Sequence, residues 1–135
     1  MGKNLIRDFM VCDPATACLW QPISFVREQM LMHGYSYIPI YLDKEPRKFW
    51  GLISEYTIAK YLRHQCNEDE RKRRLALSVA QAIESGELHI DEPETCAPTD
   101  SIDIVFGKWQ NMPILAIHTS YPDRLMGIVT AFDLV

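Results

Sequence analysis

The chain has 135 residues, a length that suits one compact domain or two small units sharing a core. Hydrophobic residues make up 47% and charged residues 24%, with eight Pro and six Gly, which argues against disorder, collagen and a coiled coil. The net charge of −4 argues against a broad basic surface, so we expect neither nucleic acid nor an anionic membrane as a partner. Any anionic ligand would have to be held by a local site.

The sequence also carries little sign of membrane insertion, metal binding or catalysis. No stretch approaches the roughly 20 apolar residues of a membrane-spanning helix, and the first ten residues lack the apolar run of a signal peptide, so we expect a cytoplasmic protein. The four cysteines form no CxxC pair and the four histidines show no ligand spacing, which predicts free thiols and no metal site. Because no nucleophile stands in a pattern with a base, we expect no catalytic residue and no enzyme.

The first half of the chain begins with a predicted helix, ended by Gly34, whose apolar face has a spacing of three and four residues. That face consists of Ile23, Val26 and Met30. Two β-rich runs, Tyr37 to Leu42 and Phe49 to Ile53, predict a hairpin, and Pro39 within the first run predicts an edge position or a bulge. Ser54 is predicted to cap a following helix, which buries Ile58 and Leu62.

A charged segment joins the halves, with acidic and basic residues four apart, typical of a solvated helix. The expected pairs are Glu68 with Lys72, Asp69 with Arg73, and Glu70 with Arg74. The basic run from residue 71 to 74 could indicate a nucleic-acid patch, but its acidic partners one turn away neutralise it. Ser78 and Gln81 then form a predicted capping box, and Gly86 is expected to end that helix.

The second half follows the same order as the first. Thr99 and Asp100 are candidate caps of a helix with a predicted apolar face. That face consists of Ile102, Val105, Phe106 and Trp109. Strands are predicted at Met112 to Ile117 and at Leu125 to Val129, and Thr130 is expected to begin a last helix that is cut short at Val135.

Two short motifs recur in this order and establish an internal repeat. The strand motif is Ile38-Pro39-Ile40 in the first half and Met112-Pro113-Ile114 in the second. The junction motif is Gly51-Leu52-Ile53-Ser54-Glu55-Tyr56-Thr57 in the first half and Gly127-Ile128-Val129-Thr130-Ala131-Phe132-Asp133 in the second. The number of residues between the two copies of the strand motif differs by two from the number between the two copies of the junction motif. We expect the loop between the strands to absorb this difference.

These motifs resemble the signatures of a tandem pair of CBS domains, also called a Bateman module. The family pattern is an apolar-Pro-apolar strand and then Gly-apolar-x-Ser/Thr-x-x-Asp. The second half matches the latter pattern completely, whereas in the first half Thr57 stands where the pattern has Asp. The resemblance implies an α/β fold of two pseudo-symmetric repeats, each a strand-helix-strand-strand-helix unit with a preceding helix, whose small sheets pack together. We expect the first repeat in residues 1–66, a charged linker helix in 67–77, and the second repeat in 78–135.

The resemblance also implies an adenosine-nucleotide site in the cleft between the repeats, with no further cofactor. In the second repeat, the helix end at Thr130 would hold phosphate, since helix N-termini carry unpaired N–H donors and partial positive charge. The carboxylate of Asp133 would accept hydrogen bonds from the ribose diol, and Met112 and Pro113 would line the adenine slot. The first repeat offers a weaker second site, because Thr57 has no charge. Its residues are Ser54, Thr57, Ile38 and Pro39.

Three interpretations of function follow. The favoured one is a regulatory module, without catalysis, in which AMP, ADP or ATP biases helix positions that an unknown partner or attached domain reads. The family's habit of pairing also implies a homodimer. An alternative is a dimerisation module with degenerate sites, since Ser/Thr-x-x-Asp is also a helix-capping pattern that needs no ligand. A small hydrolase or metal enzyme lacks any supporting spacing.

Overall fold

The computed structural model of the chain describes residues 4–12, 14–42, 49–63, 67–92, 94–107, 113–118, 120, 124–130 and 133. In chain order its elements are β1 (Val11–Cys12), β2 (Ala17–Cys18), α1 (Ile23–His33), β3 (Tyr37–Tyr41), β4 (Phe49–Ser54), α2 (Glu55–Arg63), α3 (Glu68–Ala76), α4 (Val79–Glu84), β5 (Thr95–Cys96), α5 (Ile102–Phe106), β6 (Ile114–Ile117) and β7 (Leu125–Val129). A short 3-10 helix, Ile6–Asp8, precedes β1. None of the helices in these described ranges is long and apolar enough to cross a membrane.

The chain forms two compact units, Ala15–Glu92 and Met1–Pro14 with Pro93–Val135. These units differ from the repeat boundaries expected at residues 66 and 78. The segment after α3 lies with the first repeat because its backbone is tied to the start of α1: the Ile23 N–H donates to the Leu77 carbonyl at 2.8 Å. The N-terminal segment lies with the second repeat because the Ile6 N–H donates to the Asp100 carbonyl at 2.9 Å.

In unit Ala15–Glu92, a three-stranded sheet in the order β2-β3-β4 packs against helices. The predicted hairpin is confirmed, with β3 and β4 antiparallel. The predicted apolar faces of α1 and α2 are also buried, and Gly34 ends α1 at a φ of 69°, in the left-handed region that glycine adopts most easily. The core of this unit includes Ile23, Val26, Met30, Ile38, Ile40, Ile53, Ile58, Leu62 and Val79.

Of the two positions expected for Pro39, an edge strand or a bulge, the edge strand is wrong, because β3 is the central strand of this sheet. Pro39 pairs with Leu52, whose N–H and carbonyl both bond to the backbone of Asp91 on the opposite side of β4. The missing N–H of proline therefore removes no bond from the β3–β4 ladder. On the other side, β2 pairs only with Ile40 and Tyr41, so that ladder begins after the proline. The register irregularity comes one step later, between Ile40 and Tyr41.

Helix α3 lies against α1 and α2, and an ion-pair and hydrogen-bond network joins it to α2 and to Glu87. The acid–base pairing in this network differs in part from the prediction. Glu70 pairs with Arg74 at 3.1 Å as expected. Arg73 pairs with Glu70 and Glu87 rather than with Asp69. Arg74 also donates to the Tyr61 carbonyl at 2.7 Å, while the Tyr61 hydroxyl donates to the Arg74 carbonyl at 2.8 Å. These reciprocal bonds join α2 and α3.

The network also shifts the pKa values of its members. Burial, and then the charge of Glu87, raises the pKa of the Tyr61 hydroxyl. Hydrogen bonds from Arg73 and Arg74 lower the pKa of Glu70 to about 2. Its ordinary value is 4.5. Glu70 therefore stays ionised well below neutral pH.

The second unit holds a four-stranded sheet in the order β1-β7-β6-β5 and a core that includes Ile6, Val105, Ile114, Ala116 and Val129. Helix α5 is shorter than expected and begins one residue later: Ser101 is its cap and accepts from the Asp103 N–H. The expectation that Phe106 is buried is wrong, because it is 56% exposed. Trp109 lies outside the described residues.

The two hairpins have the same register, which corrects the alignment of the repeat. Ile38 pairs with Ile53, and Ile114 pairs with Val129, so residues 76 positions apart are equivalent along both strands. Both hairpins also have an irregularity at the equivalent step, Ile40/Tyr41 and Ala116/Ile117. The loops are therefore equal in length, and the motif matched through Pro39 and Pro113 is displaced by two residues.

At each junction glycine, a side chain from another segment packs where a Cβ would lie. A Cβ at Gly51 would overlap Ile90 Cγ2, and a Cβ at Gly127 would lie 2.7 Å from Met10 Sδ and 3.0 Å from the Val11 carbonyl oxygen. In each repeat, a segment from outside the hairpin thus crosses the second strand of the hairpin at the glycine. This outer strand is β4 in the first repeat and β7 in the second, and the crossing segments contain Ile90 and Met10. Without a side chain there, the crossing segment can bond to the next residue of the strand.

We expect Gly51→Ala to lower the free energy of unfolding by about 1–3 kcal/mol, because the added methyl overpacks against Ile90. Urea denaturation measures the change. Gly107→Ala is the control, since its added Cβ meets its nearest neighbour at 3.4 Å, and it should change stability by less than about 0.5 kcal/mol. The double variant Gly51→Ala/Ile90→Ala should cost less than the sum of its single variants; strict additivity would contradict the overlap.

The lowered pKa of Glu70 predicts a pH-dependent contribution to stability. Because the folded-state pKa lies below the unfolded value, this contribution is present above pH 4.5 and is lost as the pH falls toward about 2. The difference in urea midpoint between wild type and Glu70→Gln should therefore narrow over that range. Solvent exposure keeps the difference small. Glu68→Gln, on the same helix, is the control, and an equal pH-dependent difference there would contradict the assignment to Glu70.

Candidate functional site

The candidate site of the second repeat is the turn that follows β7. The Thr130 N–H and the Thr130 hydroxyl both donate to one oxygen of the Asp133 carboxylate, Oδ2, at 2.8 and 3.1 Å. The Asp133 N–H donates to the Thr130 carbonyl at 3.1 Å and closes the turn. Both side chains are half-buried. The structure thus brings together the two residues that the motif predicts for phosphate and ribose.

This geometry contains one half of a capping box, the bond from the Thr130 backbone to the Asp133 side chain. The Thr130 hydroxyl acts as a donor to Asp133. The carboxylate is held through Oδ2, and among the described residues its Oδ1 accepts no hydrogen bond. A carboxylate oxygen oriented in this way can accept from a ligand hydroxyl.

The predicted adenine slot is described only in part. Pro113 directly precedes β6 and is buried, whereas Met112 lies outside the described residues. Ile114 pairs with Val129. Pro113, just before β6, and Thr130, just after β7, therefore lie at the same open end of the β6–β7 hairpin. In the first repeat, Tyr37 pairs with Ser54 at the equivalent end. Tyr37 corresponds to Pro113, so Ile38 and Pro39 are buried one and two residues further along the strand.

In the first repeat, Ser54 and Thr57 meet as the motif predicts. Ser54 Oγ accepts from the Thr57 N–H at 3.1 Å, which confirms Ser54 as the cap of α2, and lies 2.9 Å from Thr57 Oγ1. The Thr57 hydroxyl donates to Asp91 Oδ2 at 3.4 Å. Since the single hydrogen of that hydroxyl is used on Asp91, the Ser54 hydroxyl must donate to Thr57. The three side chains form a directed chain of bonds that ends on a carboxylate.

Asp91 is the residue at this site that the sequence did not reveal. It lies outside both recurring motifs and 34 residues from Thr57 in the chain. Its position results from backbone pairing: the Asp91 N–H donates to the Leu52 carbonyl at 3.0 Å, and the Leu52 N–H donates to the Asp91 carbonyl at 3.3 Å.

Metal binding has no candidate among the residues that the structure describes, since no three of their His, Cys, Asp and Glu side chains are grouped as ligands. Cys12 is an exposed thiol, while Cys66 and His64 fall outside the described ranges.

Two repeats, each with a parallel strand, a helix, an antiparallel hairpin and a Ser/Thr-led turn, define the class of tandem CBS folds. The chain is similar to a CBS domain-containing protein of unknown function from Bacillus anthracis, at 22% identity and a TM-score of 0.74, covering 96% of this chain and 88% of that one. It is also similar to the CBS domain pair of protein MJ0100, in complex with 5′-methylthioadenosine and S-adenosyl-L-methionine, at 21% identity and a TM-score of 0.68, covering 97% and 96%.

A third similar structure is the CBS domain of a bacterial CNNM/CorC family Mg²⁺ transporter in complex with ATP, at 15% identity and a TM-score of 0.69, covering 97% of this chain and 84% of that one. No family model matches the sequence, and no curated protein matches it. The chain has the fold of a tandem CBS domain pair, as the resemblance predicted.

Proposed function

We propose that this chain is a regulatory module that binds an adenosine nucleotide and has no catalytic activity of its own. The observation that carries the proposal is the turn of the second repeat, where Thr130 orients the carboxylate of Asp133 through two hydrogen bonds. Two structures of the same fold are complexes with adenosine compounds, one with 5′-methylthioadenosine and S-adenosyl-L-methionine and one with ATP. An adenosine ligand is thus the class that the fold and the turn support together.

In the proposed complex, Asp133 Oδ1 accepts hydrogen bonds from the ribose diol, and the Thr130 end of the turn faces the phosphate. The Thr130 hydroxyl donates to Asp133 in this structure. Its contact with phosphate therefore requires the hydroxyl hydrogen to turn from the carboxylate to the ligand. Met112 and Pro113 would line the adenine. Binding would bias helix positions that a partner or an attached domain reads.

A thermal-shift panel of AMP, ADP, ATP, S-adenosyl-L-methionine and 5′-methylthioadenosine tests the proposal. A ligand that binds only the folded state raises the unfolding temperature, by an amount that grows with its concentration relative to Kd. GMP and CMP serve as base controls. No shift with any adenosine compound, at concentrations up to the millimolar range, would contradict nucleotide binding.

We expect Asp133→Ala to weaken binding of the nucleotide more than it weakens the fold. Loss of a charged acceptor costs about 1.5–3 kcal/mol of affinity, whereas loss of a capping partner costs about 1 kcal/mol of stability. Calorimetric titration and urea denaturation measure the two effects. Asp103→Ala, an exposed acid on α5, is the control for net charge. If the Asp133 variant unfolds more easily but binds with unchanged affinity, its carboxylate serves only the turn.

A second candidate function is dimerisation, which exposed apolar side chains in the first unit favour. Leu31 and Met32 near the end of α1 are 66% and 65% exposed, and Tyr56 at the start of α2 is 73% exposed. The Glu55 N–H donates to the Ser36 carbonyl at 2.8 Å and joins these two regions. Large exposed apolar side chains on neighbouring elements are typical of protein interfaces.

We therefore expect the chain to form a homodimer, with a mass by light scattering of about twice that of the chain at micromolar concentration. Met32→Glu should shift the mass toward the monomer, because the interface would then bury a charge. Glu28→Gln, on the same helix, is the control and should leave the mass unchanged. A monomeric wild type over the accessible concentration range would contradict this role.

A further inference from the structure

In each repeat, a segment from outside the hairpin crosses its outer strand at the junction glycine. In the first repeat, Ile90 lies over Gly51 and Asp91 pairs with Leu52. In the second repeat, Met10 lies over Gly127 and Val11 pairs with Ile128. Because Leu52 and Ile128 are equivalent in the two hairpins, Asp91 and Val11 occupy equivalent places beside them.

This equivalence shows that the two repeats carry their carboxylate on different elements. In the second repeat, the junction motif holds Asp133 and the crossing segment holds the apolar Val11. In the first repeat, the motif holds Thr57 and the crossing segment holds Asp91. Each repeat therefore has one carboxylate bonded to a hydroxyl of its junction motif.

The bonds to the two carboxylates are also alike. The Thr130 hydroxyl donates to Asp133 Oδ2 at 3.1 Å, and the Thr57 hydroxyl donates to Asp91 Oδ2 at 3.4 Å. Among the described residues, the second oxygen of Asp91 accepts no hydrogen bond. Backbone pairing with Leu52 fixes the position of the residue, so the carboxylate is oriented from two directions.

We propose that Asp91 is a ligand-binding residue of the first repeat, where its carboxylate accepts hydrogen bonds from the ribose diol of an adenosine nucleotide. This inference rests on the proposed function. It replaces the expectation that the first site is weak, which considered Thr57 alone. With Asp91 present, the chain has two nucleotide sites, and the first recognises ribose from the crossing segment instead of from the helix.

Calorimetric titration of the full chain with AMP tests the inference. We expect two AMP per chain in the wild type. In the Asp133→Asn background, the remaining site should lose about tenfold to a hundredfold in affinity on Asp91→Asn. Asn at position 91 can still accept from the Thr57 hydroxyl, so the unfolding temperature should change little. Glu92→Gln, the exposed neighbouring acid, is the control and should leave that site unchanged.

The ribose contact is tested with 2′,3′-dideoxy-AMP in the same background. With Asp91 present, removal of both hydroxyls should weaken binding by about tenfold or more. With Asp91→Ala in place of Asp91→Asn, AMP and its dideoxy form should bind equally, because alanine has no acceptor for the diol. A persistent difference between the two ligands would show that another group recognises the diol, and would overturn the inference.

A variant that moves the carboxylate of the first repeat from position 91 to position 57 tests the inference without removing the carboxylate from the site. Thr57→Asp alone places two carboxylates side by side and should lower the unfolding temperature. Thr57→Asp/Asp91→Val copies the arrangement of the second repeat and should restore both the unfolding temperature and AMP binding. Failure of the double variant to bind AMP at the first site, with its fold intact, would count against the inference.

The outcomes separate this inference from the proposed function. One AMP per chain, lost on Asp133→Asn and insensitive to Asp91→Asn, overturns the inference and leaves the proposed function standing. Absence of AMP binding to the wild-type chain overturns the inference, while the panel of other adenosine compounds still decides the proposed function. Two sites that respond separately to Asp133→Asn and Asp91→Asn support both.

Discussion

The packing of another segment into the Cβ position of each junction glycine is the constraint on which both repeats depend. At Gly51 the space of a side chain is filled by Ile90, and at Gly127 it is filled by Met10. This contact allows Asp91 and Val11 to pair with the outer strands, so each sheet gains a neighbour at an edge that would otherwise be open. The same pairing places Asp91 beside the motif of the first repeat, where it accepts from Thr57. One contact therefore determines both the edge of the sheet and the position of this carboxylate.

Hydrogen bonding at the two junction motifs links local structure to proposed binding. The cap of α2 uses Ser54, and the turn of the second repeat uses Asp133, so each motif satisfies backbone N–H groups before any ligand is considered. In the second repeat the same bond also orients the carboxylate of Asp133, whereas in the first repeat a separate bond from the Thr57 hydroxyl orients Asp91. A capping function and a binding function are therefore compatible at these positions, and measurements of stability and of affinity are needed together to separate them.

The acidic residues of the ion-pair network and the acidic residues at the two junction motifs have different kinds of partner. In the ion-pair network, Glu70 and Glu87 face Arg73 and Arg74, and the guanidinium of Arg74 also lies 5.4 Å from the centre of the Tyr61 ring. These acids are neutralised within the unit and stabilise the contact of α2 with α3. Asp91 and Asp133 instead bond to hydroxyls and a backbone N–H. A carboxylate that is bonded only to neutral donors has no paired cation, and its second oxygen can accept a hydrogen bond from a ligand hydroxyl.

The sequence by itself determined the buried faces of α1 and α2 and the capping box at Ser78, because these features depend on residues three or four positions apart. It also determined the two hairpins and the repeat, because the strands are short β-rich runs and the same motifs recur in the same order in both halves. It located Thr130 and Asp133 for the same reason. Only the tertiary structure decided that Pro39 lies in a central strand, that Arg73 pairs with Glu87, and that the prolines of the two strand motifs are not equivalent. It also brought Asp91 to Thr57 across 34 residues. Pairing between distant segments depends on how the whole backbone folds, and no short-range pattern records it.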